Sequence, residues 1–310
     1  MTAQPTPLAT PLLVRSHSRN AESDAAPVAA AHRVEALGQR LRHVRPLTDM
    51  QIEQILLHQR QHGMRFGDAA VALKLATEEE VRRALSHQFD FPYATQAHCV
   101  LSPELVTAVD PFGEQADVFR DLRTRLLLEH LDAPHPRHAL AVVSTASGDG
   151  KSYCAANLAI SLSQLGRRTL LVDANLRQPR LHRLFGMANR SGLGSVLAGH
   201  QAAADLIQAV PELPSLEVLP AGGEPPNPQE LLQRATFTLL MEELLTRFDH
   251  VIVDTPAVSL GADARLLAAK CGSALVIARR HRSKVPEVQA LGAALARTAT
   301  RLAGVVMNAC

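Results

Sequence analysis

Residues 139–152 read Ala-Leu-Ala-Val-Val-Ser-Thr-Ala-Ser-Gly-Asp-Gly-Lys-Ser, and a helix-forming run follows from Ala155 to Leu165. An apolar, β-branched run, a glycine-containing loop and a helix start, in that order, make a phosphate cradle. Gly148 and Gly150 let the backbone turn its N–H groups inward, where a Cβ would obstruct close approach. Lys151 can place its ammonium on the β and γ phosphates, and Ser152 can offer a hydroxyl to Mg²⁺. Ser147, Asp149 and Tyr153 complete the candidate nucleotide contacts. The full P-loop pattern has glycine at the position held here by Thr145.

Outward from this loop, short apolar runs recur at Thr169–Asp173, Leu216–Leu219, 251–254, 274–278 and 304–307, separated by helix-length segments. Runs of this length and composition predict a parallel sheet covered by helices on both faces. The fold class is therefore α/β, a P-loop domain over residues 113–310. Two of the runs end in acids, Asp173 and Asp254. Ligands of an open parallel sheet sit outside the carboxyl ends of its strands, so both carboxylates are expected to converge on the phosphates. Ser152, Asp173 and Asp254 are the candidate metal residues, and Lys151, Asp173 and Asp254 the candidate catalytic set.

The amino-terminal third reads differently. Residues 1–45 are rich in Ala, Pro, Thr and Ser without sustained hydrophobic period and are expected to form a disordered arm. Over 46–100 the apolar positions Ile52, Ile55, Leu56, Val71, Leu73, Leu75, Val81 and Leu85 recur at helical spacing, broken by Gly63 and Gly67, which predicts a small all-α module. Thr77-Glu78-Glu79-Glu80 is a capping box that starts its last helix. Pro103 and Pro111 mark 101–112 as a linker.

Composition narrows the function. The 310 residues carry 32 basic and 30 acidic side chains, a net charge of +2, with lysine only at 74, 151, 270 and 284. No bulk polyanion-binding charge results, and 3% aromatics without tryptophan leave no stacking platform, so nucleic acid and sugar drop as direct ligands. Cys99, Cys154, Cys271 and Cys310 have no zinc-ligand or disulfide-framework spacing and read as reduced cytoplasmic thiols. No signal peptide and no stretch of 18 apolar residues is found. Any membrane role therefore needs a partner.

Ala146 to Ser152 with Asn157-Leu158-Ala159, Leu170 to Pro179, Gly192-Leu193 with Val196 to Gly199, Pro225-Pro226-Asn227-Pro228 with Glu230-Leu231-Leu232, and Val251 to Pro256 together resemble the bacterial tyrosine kinases of polysaccharide export. The resemblance spans about residues 112–308 and is nearest the EpsG-like branch, whose kinase is a separate polypeptide from its membrane activator. In the Pro-Pro-Asn-Pro element, Asn227 is expected as N-cap, Pro228 at the first helical position and Glu230 closing the box.

The resemblance implies an ATP-dependent, Mg²⁺-dependent protein-tyrosine kinase that regulates exopolysaccharide chain length, polymerisation and export. It implies that Lys151 and Ser152 bind phosphate and Mg²⁺, that Asp173 assists the metal or deprotonates an acceptor tyrosine, that Asp254 holds the metal through water, and that Asn308 lies near adenine. The implied partner is the cytoplasmic tail of an integral-membrane chain-length determinant, which would hold the kinase at the inner face of the plasma membrane. Asp117, Arg120 and Arg123 resemble an element of self-association, implying a homo-oligomer. Residues 65–88 resemble the N-terminal domain of type II secretion ATPases and are read as a partner-docking module.

Departures from the family pattern point to an alternative. Asn175 stands where the family usually has a second Asp, and the only tyrosines are Tyr93 and Tyr153, with two residues after Asn308. Autophosphorylation on a tyrosine tail is therefore not expected. A non-catalytic ATP-dependent assembly switch is the alternative function; Ala146, where partitioning ATPases carry lysine, disfavours that third class.

Overall fold

The computed structural model describes residues 41, 45–78, 80, 81, 84, 100–132 and 137–309. The chain divides into a smaller unit within residues 17–99 and a larger one carrying residues 100–310. Apart from residues 41 and 45, the arm expected over 1–45 lies outside the described residues, as do Tyr93, Cys99 and Cys310.

In the smaller unit, α1 (Asp49–His62) starts at a capping box between Thr48 and Gln51 and ends at Gly63 in the left-handed conformation, φ 64°. A short α2 (Phe66–Ala72) follows. The box at Thr77 forms as expected: Glu80 Oε2 accepts the Thr77 N–H at 2.7 Å and Thr77 Oγ1 accepts the Glu80 N–H at 3.2 Å. Ile55, Phe66, Ala69, Ala70, Ala76 and Ala84 form the core. Gly67 does not break a helix. It lies buried within α2, where a Cβ would fall 2.6 Å from Val81 Cγ1, so glycine permits Val81 to approach.

The larger unit is built on seven strands: β1 (Ala139–Ser144), β2 (Thr169–Asp173), β3 (Gln208–Ala209), β4 (Leu216–Leu219), β5 (His250–Asp254), β6 (Gly272–Arg279) and β7 (Arg301–Asn308). Their order is β3-β4-β2-β5-β1-β6-β7. All neighbours are parallel except the two-residue β3, which pairs antiparallel with β4. Every residue of β1, β2 and β5 is buried, as helices on both faces require. On one face Ala141, Val143, Val172 and Val253 join the main core with Leu267 and Ala268 of α10 (Asp263–Cys271). On the other lies α5 (Lys151–Ser163), buried almost all round.

The segment 101–112 is not a linker. Leu101, Leu105 and Ala108 are buried, and the one-turn α3 (Val106–Val109) is fastened to α5. Asn157 Oδ1 accepts from Thr107 N (3.0 Å) and Oγ1 (2.8 Å), while Asn157 Nδ2 donates to the Glu104 carbonyl at 2.9 Å. Its prolines fall at turns, and the apolar residues between them supply the packing. Next, α4 (Glu114–Leu126) buries Ala116, Phe119, Leu122 and Leu126, one face at helical spacing.

Between β2 and β5 run α6 (Leu181–Leu184), α7 (Leu193–Leu197), α8 (Pro228–Gln233) and α9 (Ala235–Arg247), and α11 (Val285–Ala296) joins β6 to β7. Pro228 sits at the start of α8 as expected, but Asn227 makes no side-chain cap. At φ −132° and ψ 61° its backbone departs from the extended form an N-cap uses, so the box with Glu230 is not made.

Candidate functional site: a phosphate loop over paired carboxylates

β1 delivers the chain into the loop 145–150, and α5 takes it out. Gly148 (φ 82°) and Gly150 (φ 96°) both occupy the left-handed region that side chains resist, and a Cβ on Gly150 would collide with Asn308 Nδ2. The loop is braced from within. Asp149 is buried and its Oδ2 accepts the Ala146 N–H at 2.9 Å, while Ser144 Oγ donates to the Ala146 carbonyl at 2.8 Å. Asp149 thus shapes the cradle rather than lining it.

Lys151 is buried, its Nζ donating to Ser144 Oγ at 3.0 Å and to the Ala146 carbonyl at 3.4 Å. Burial lowers its ammonium below the usual lysine range, against the pull of Asp254 and Asp149. Ser152 Oγ donates to Asp254 Oδ2 at 2.5 Å, and Asp254 Oδ1, buried, has no hydrogen-bond partner. A hydroxyl beside a carboxylate with an unused oxygen is the hard-oxygen donor set that suits Mg²⁺. Together with the glycine cradle, these residues fit a magnesium nucleotide.

Asp173 and Asp254 are paired in register across β2 and β5. Burial, above all, pushes Asp173 up to about 8, with the Asp254 charge adding to it. Burial likewise raises Asp254 to about 6, opposed by the Ser152 hydroxyl and Lys151. The oxygens of Asp173 accept three backbone N–H groups, Asn175 (3.2 Å), Arg180 (3.1 Å) and Leu181 (3.0 Å). Asp173 therefore organises the loop that follows β2 and opens α6. Asn175 is spent on the same loop, accepting from Gln178 N at 3.1 Å and donating to the Gln178 carbonyl at 2.9 Å.

A cavity of about 590 Å³ opens over these groups, lined by Ser147, Gly148, Gly150, Lys151 and Ser152 together with Gln178, Arg180, His182 and Arg183 from the loop after β2. A second groove of about 470 Å³, on the other side of Gly148 and Gly150, is lined by Tyr153, Asn308, Gln115 and Arg279. Asn308 Nδ2 donates to the Asp149 carbonyl at 3.1 Å. The Tyr153 ring meets Phe119 edge to face, centroids 5.6 Å apart. Of the expected site residues, Asp149, Asp173 and Asp254 lie beneath the loop and line neither opening.

Several contributors escaped the sequence reading. Arg180 pairs with both carboxylate oxygens of Glu104 at 2.6 and 2.7 Å, and the Arg177 guanidinium reaches buried Asp263 at 2.6 Å. Arg279 Nη1 donates to the Gly148 carbonyl at 2.9 Å. Each partner is more than 75 residues away in sequence, so no local pattern marks it. Asp117, Arg120 and Arg123 do share α4, but the domain's own atoms hold them. Arg120 takes Asp117 and the Pro111 carbonyl, and Arg123 Nη1 donates to the Ser161 carbonyl of α5 at 2.7 Å.

The family model described as cellulose biosynthesis protein BcsQ matches residues 138–288. The tyrosine-protein kinase YwqD of Bacillus subtilis (strain 168) is 35% identical over 205 residues, covering 66% of this chain and 85% of that protein. Among solved structures, the chimerical protein CapA2B2 superposes with a TM-score of 0.62 at 30% identity, covering 73% of this chain and 97% of that one. The kinase domain of the Escherichia coli tyrosine kinase ETK superposes at 0.64 with 28% identity, covering 69% and 82%. Sequence identity over most of a relative's length, a shared fold and a phosphate loop set on two strand-end carboxylates agree: this chain belongs to the bacterial tyrosine-protein kinases.

Proposed function

We propose that the chain transfers the γ-phosphoryl group of ATP, as its Mg²⁺ complex, to tyrosine hydroxyls, and that this transfer regulates exopolysaccharide chain length, polymerisation and export. The observation that carries the reading is the meeting of Lys151, Ser152 and the unused oxygen of Asp254 at one glycine-built cradle. Mg²⁺ would supply positive charge to offset that of the phosphate oxygens. Ser152 and Asp254 would hold that ion, directly or through water. Lys151 turns from Ser144 toward the β and γ phosphates, and Asp173 acts by fixing the loop 175–181 that walls the cavity. The adenine lies on the side of Asn308 and Tyr153.

The partner we propose is the cytoplasmic tail of an integral-membrane chain-length determinant, which places the kinase at the inner face of the membrane. Among the described residues no helix is long and apolar enough to cross a membrane, so attachment through another protein suits this chain. The small helical unit is the docking module in this scheme. Asp117, Arg120 and Arg123 serve self-association, Arg120 and Asp117 from the exposed side of α4.

Asn175 favours a second reading, an ATP-driven assembly switch, because its amide adds no negative charge beside the metal position and is committed to loop closure. Incubation with labelled ATP and the partner's tail separates the two. Phosphotyrosine on Tyr93 or on the partner supports the kinase; ATP turnover without phosphotyrosine overturns it in favour of the switch.

A further inference from the structure

The turn from β6 into α11 reads Arg279-Arg280-His281-Arg282-Ser283-Lys284. It is closed from both ends: Ser283 Oγ accepts the Arg279 N–H at 2.8 Å, and the Arg279 carbonyl accepts the N–H groups of Arg282 (3.2 Å) and Ser283 (2.9 Å). Arg280 N donates to the Asn308 carbonyl at 2.8 Å, tying the turn to the end of β7. His281 sits at φ 60°, a left-handed conformation that costs a residue other than glycine about 1 kcal/mol. The surroundings therefore impose this shape on the turn.

What the shape achieves is contact with the phosphate loop. Arg279 is fastened to the Gly148 carbonyl at 2.9 Å. A Cβ on Gly148 would fall 2.8 Å from Arg282 Nη1 and 3.4 Å from its Cζ, so the Arg282 guanidinium lies over that glycine. Apart from these contacts Arg282 is exposed, with room to swing.

Charge gives the contact its meaning. A triphosphate brings about four negative charges and Mg²⁺ offsets two of them, while Ala146 leaves Lys151 as the only cation within residues 145–152. On the far wall Arg180 is already paired with Glu104. Within the loop, the charge that grows on the β–γ bridging oxygen during transfer thus has Lys151 alone to meet it.

We propose that Arg282 is a catalytic arginine supplied in cis, its guanidinium turning from Gly148 onto the β–γ bridging and γ oxygens of bound ATP. The proposal rests on the phosphoryl-transfer reading and adds a residue to it. The acceptor oxygen bonds to the γ phosphorus as the bond from that phosphorus to the bridging oxygen breaks. The bonding pair stays on the bridging oxygen, which leaves with ADP, and the acceptor's proton passes to solvent. Arg282 neither gains nor loses a proton. Its planar fork matches two phosphate oxygens at once, which a lysine cannot do.

The test uses the full chain, its partner tail and saturating Mg-ATP, and reads ADP formation, which transfer to tyrosine or to water yields alike. Arg282→Ala should slow ADP formation on the order of 10³–10⁵-fold while ADP affinity, measured by calorimetry, stays near wild type. Arg282→Lys should recover part of the rate, and Arg280→Ala, in the same turn, should match wild type. Tighter binding of ADP with aluminium fluoride than of ADP alone, a stand-in for the transferring phosphoryl, should be lost in Arg282→Ala; this holds even where turnover is too slow to follow. An unchanged rate and unchanged aluminium-fluoride enhancement overturn the proposal, as does a parallel loss of ADP affinity. Wild-type ADP formation without phosphotyrosine would instead undo the kinase reading and leave Arg282 standing.

Discussion

Asp173 and Asp254 stand opposite each other in register at the carboxyl ends of β2 and β5, both fully buried and both raised above the usual carboxylate range. Two carboxyls so placed cannot both ionise without a cation between or beside them. The strand pairing that builds the sheet is therefore what brings the two carboxyls together, and the folded protein carries the cost.

That cost has a pH signature. A carboxyl whose folded pKa lies above its unfolded value keeps a proton that the unfolded chain has released, so stability falls as pH rises from about 4 through 6 and toward 8. Asp254→Asn removes one of the like charges and keeps an acceptor for Ser152. Without nucleotide, the variant should be more stable than wild type at pH 8, by about 1–2 kcal/mol, with the gap closing toward pH 5. Calorimetric melting at the two pH values checks this, and equal gaps would show that the pair does not repel. The same variant should bind Mg-ADP more weakly, because the oxygen lost is the one without a partner.

Lys151→Met keeps the length of the buried stem and deletes the ammonium. Burial disfavours that charge while Asp254 and Asp149 favour it, so the variant should fold with stability near that of wild type while nucleotide binding is abolished. Calorimetric titration with Mg-ADP measures the loss. Unchanged affinity would sink the phosphate-loop assignment.

Arg120 and Arg123 should behave differently when truncated. Arg123 is half-buried, donates to the Ser161 carbonyl and has its charge disfavoured chiefly by burial, so Arg123→Ala should cost about 1–2 kcal/mol of stability. Arg120 pairs with the largely exposed Asp117, a contact of the kind worth less than about 1 kcal/mol. Urea denaturation separates the two, and light scattering on Arg120→Ala, which should fold normally, tests self-association free of that complication. Wild-type oligomers persisting in Arg120→Ala would remove it from the interface.

Much of this arrangement is legible in the sequence because its signals are local. The apolar runs that become β1, β2 and β5 and the loop 145–152 each declare themselves within a dozen residues, and the acids ending two of the runs follow from the same reading. β5 begins one residue earlier than its apolar run, at His250, which packs into the strand despite its polarity, and β3 is too short to carry a period. Arg279 and Arg282 belong to no local pattern of the loop; the sheet order puts β6 beside β1 and brings them to Gly148. Residues 101–112 mislead for the opposite reason: Pro103 and Pro111 signal a connector, while the group that fastens the segment, Asn157, lies about 50 residues on.

That fastening yields the last prediction. Asn157 is fully buried in α5, about two turns beyond the loop 145–150, and its amide satisfies Thr107 through two donors and the Glu104 carbonyl through one. Glu104 in turn holds Arg180, whose backbone N–H is one of the three on Asp173. Asn157→Ala leaves a buried Thr107 N–H and the Glu104 carbonyl without partners, at about 1–3 kcal/mol for each such group. A loss of about 2–4 kcal/mol in urea denaturation is expected. Because the segment supports the loop after β2, Mg-ADP affinity should fall as well, although Asn157 lines neither opening of the site. Asn157→Asp keeps the acceptor for Thr107 but sets a buried carboxyl group against the Glu104 and Tyr153 carbonyls, so at neutral pH it should be at least as destabilising as Asn157→Ala. Full stability in Asn157→Ala would mean that the segment is held by its apolar contacts alone, through Leu105 and Ala108.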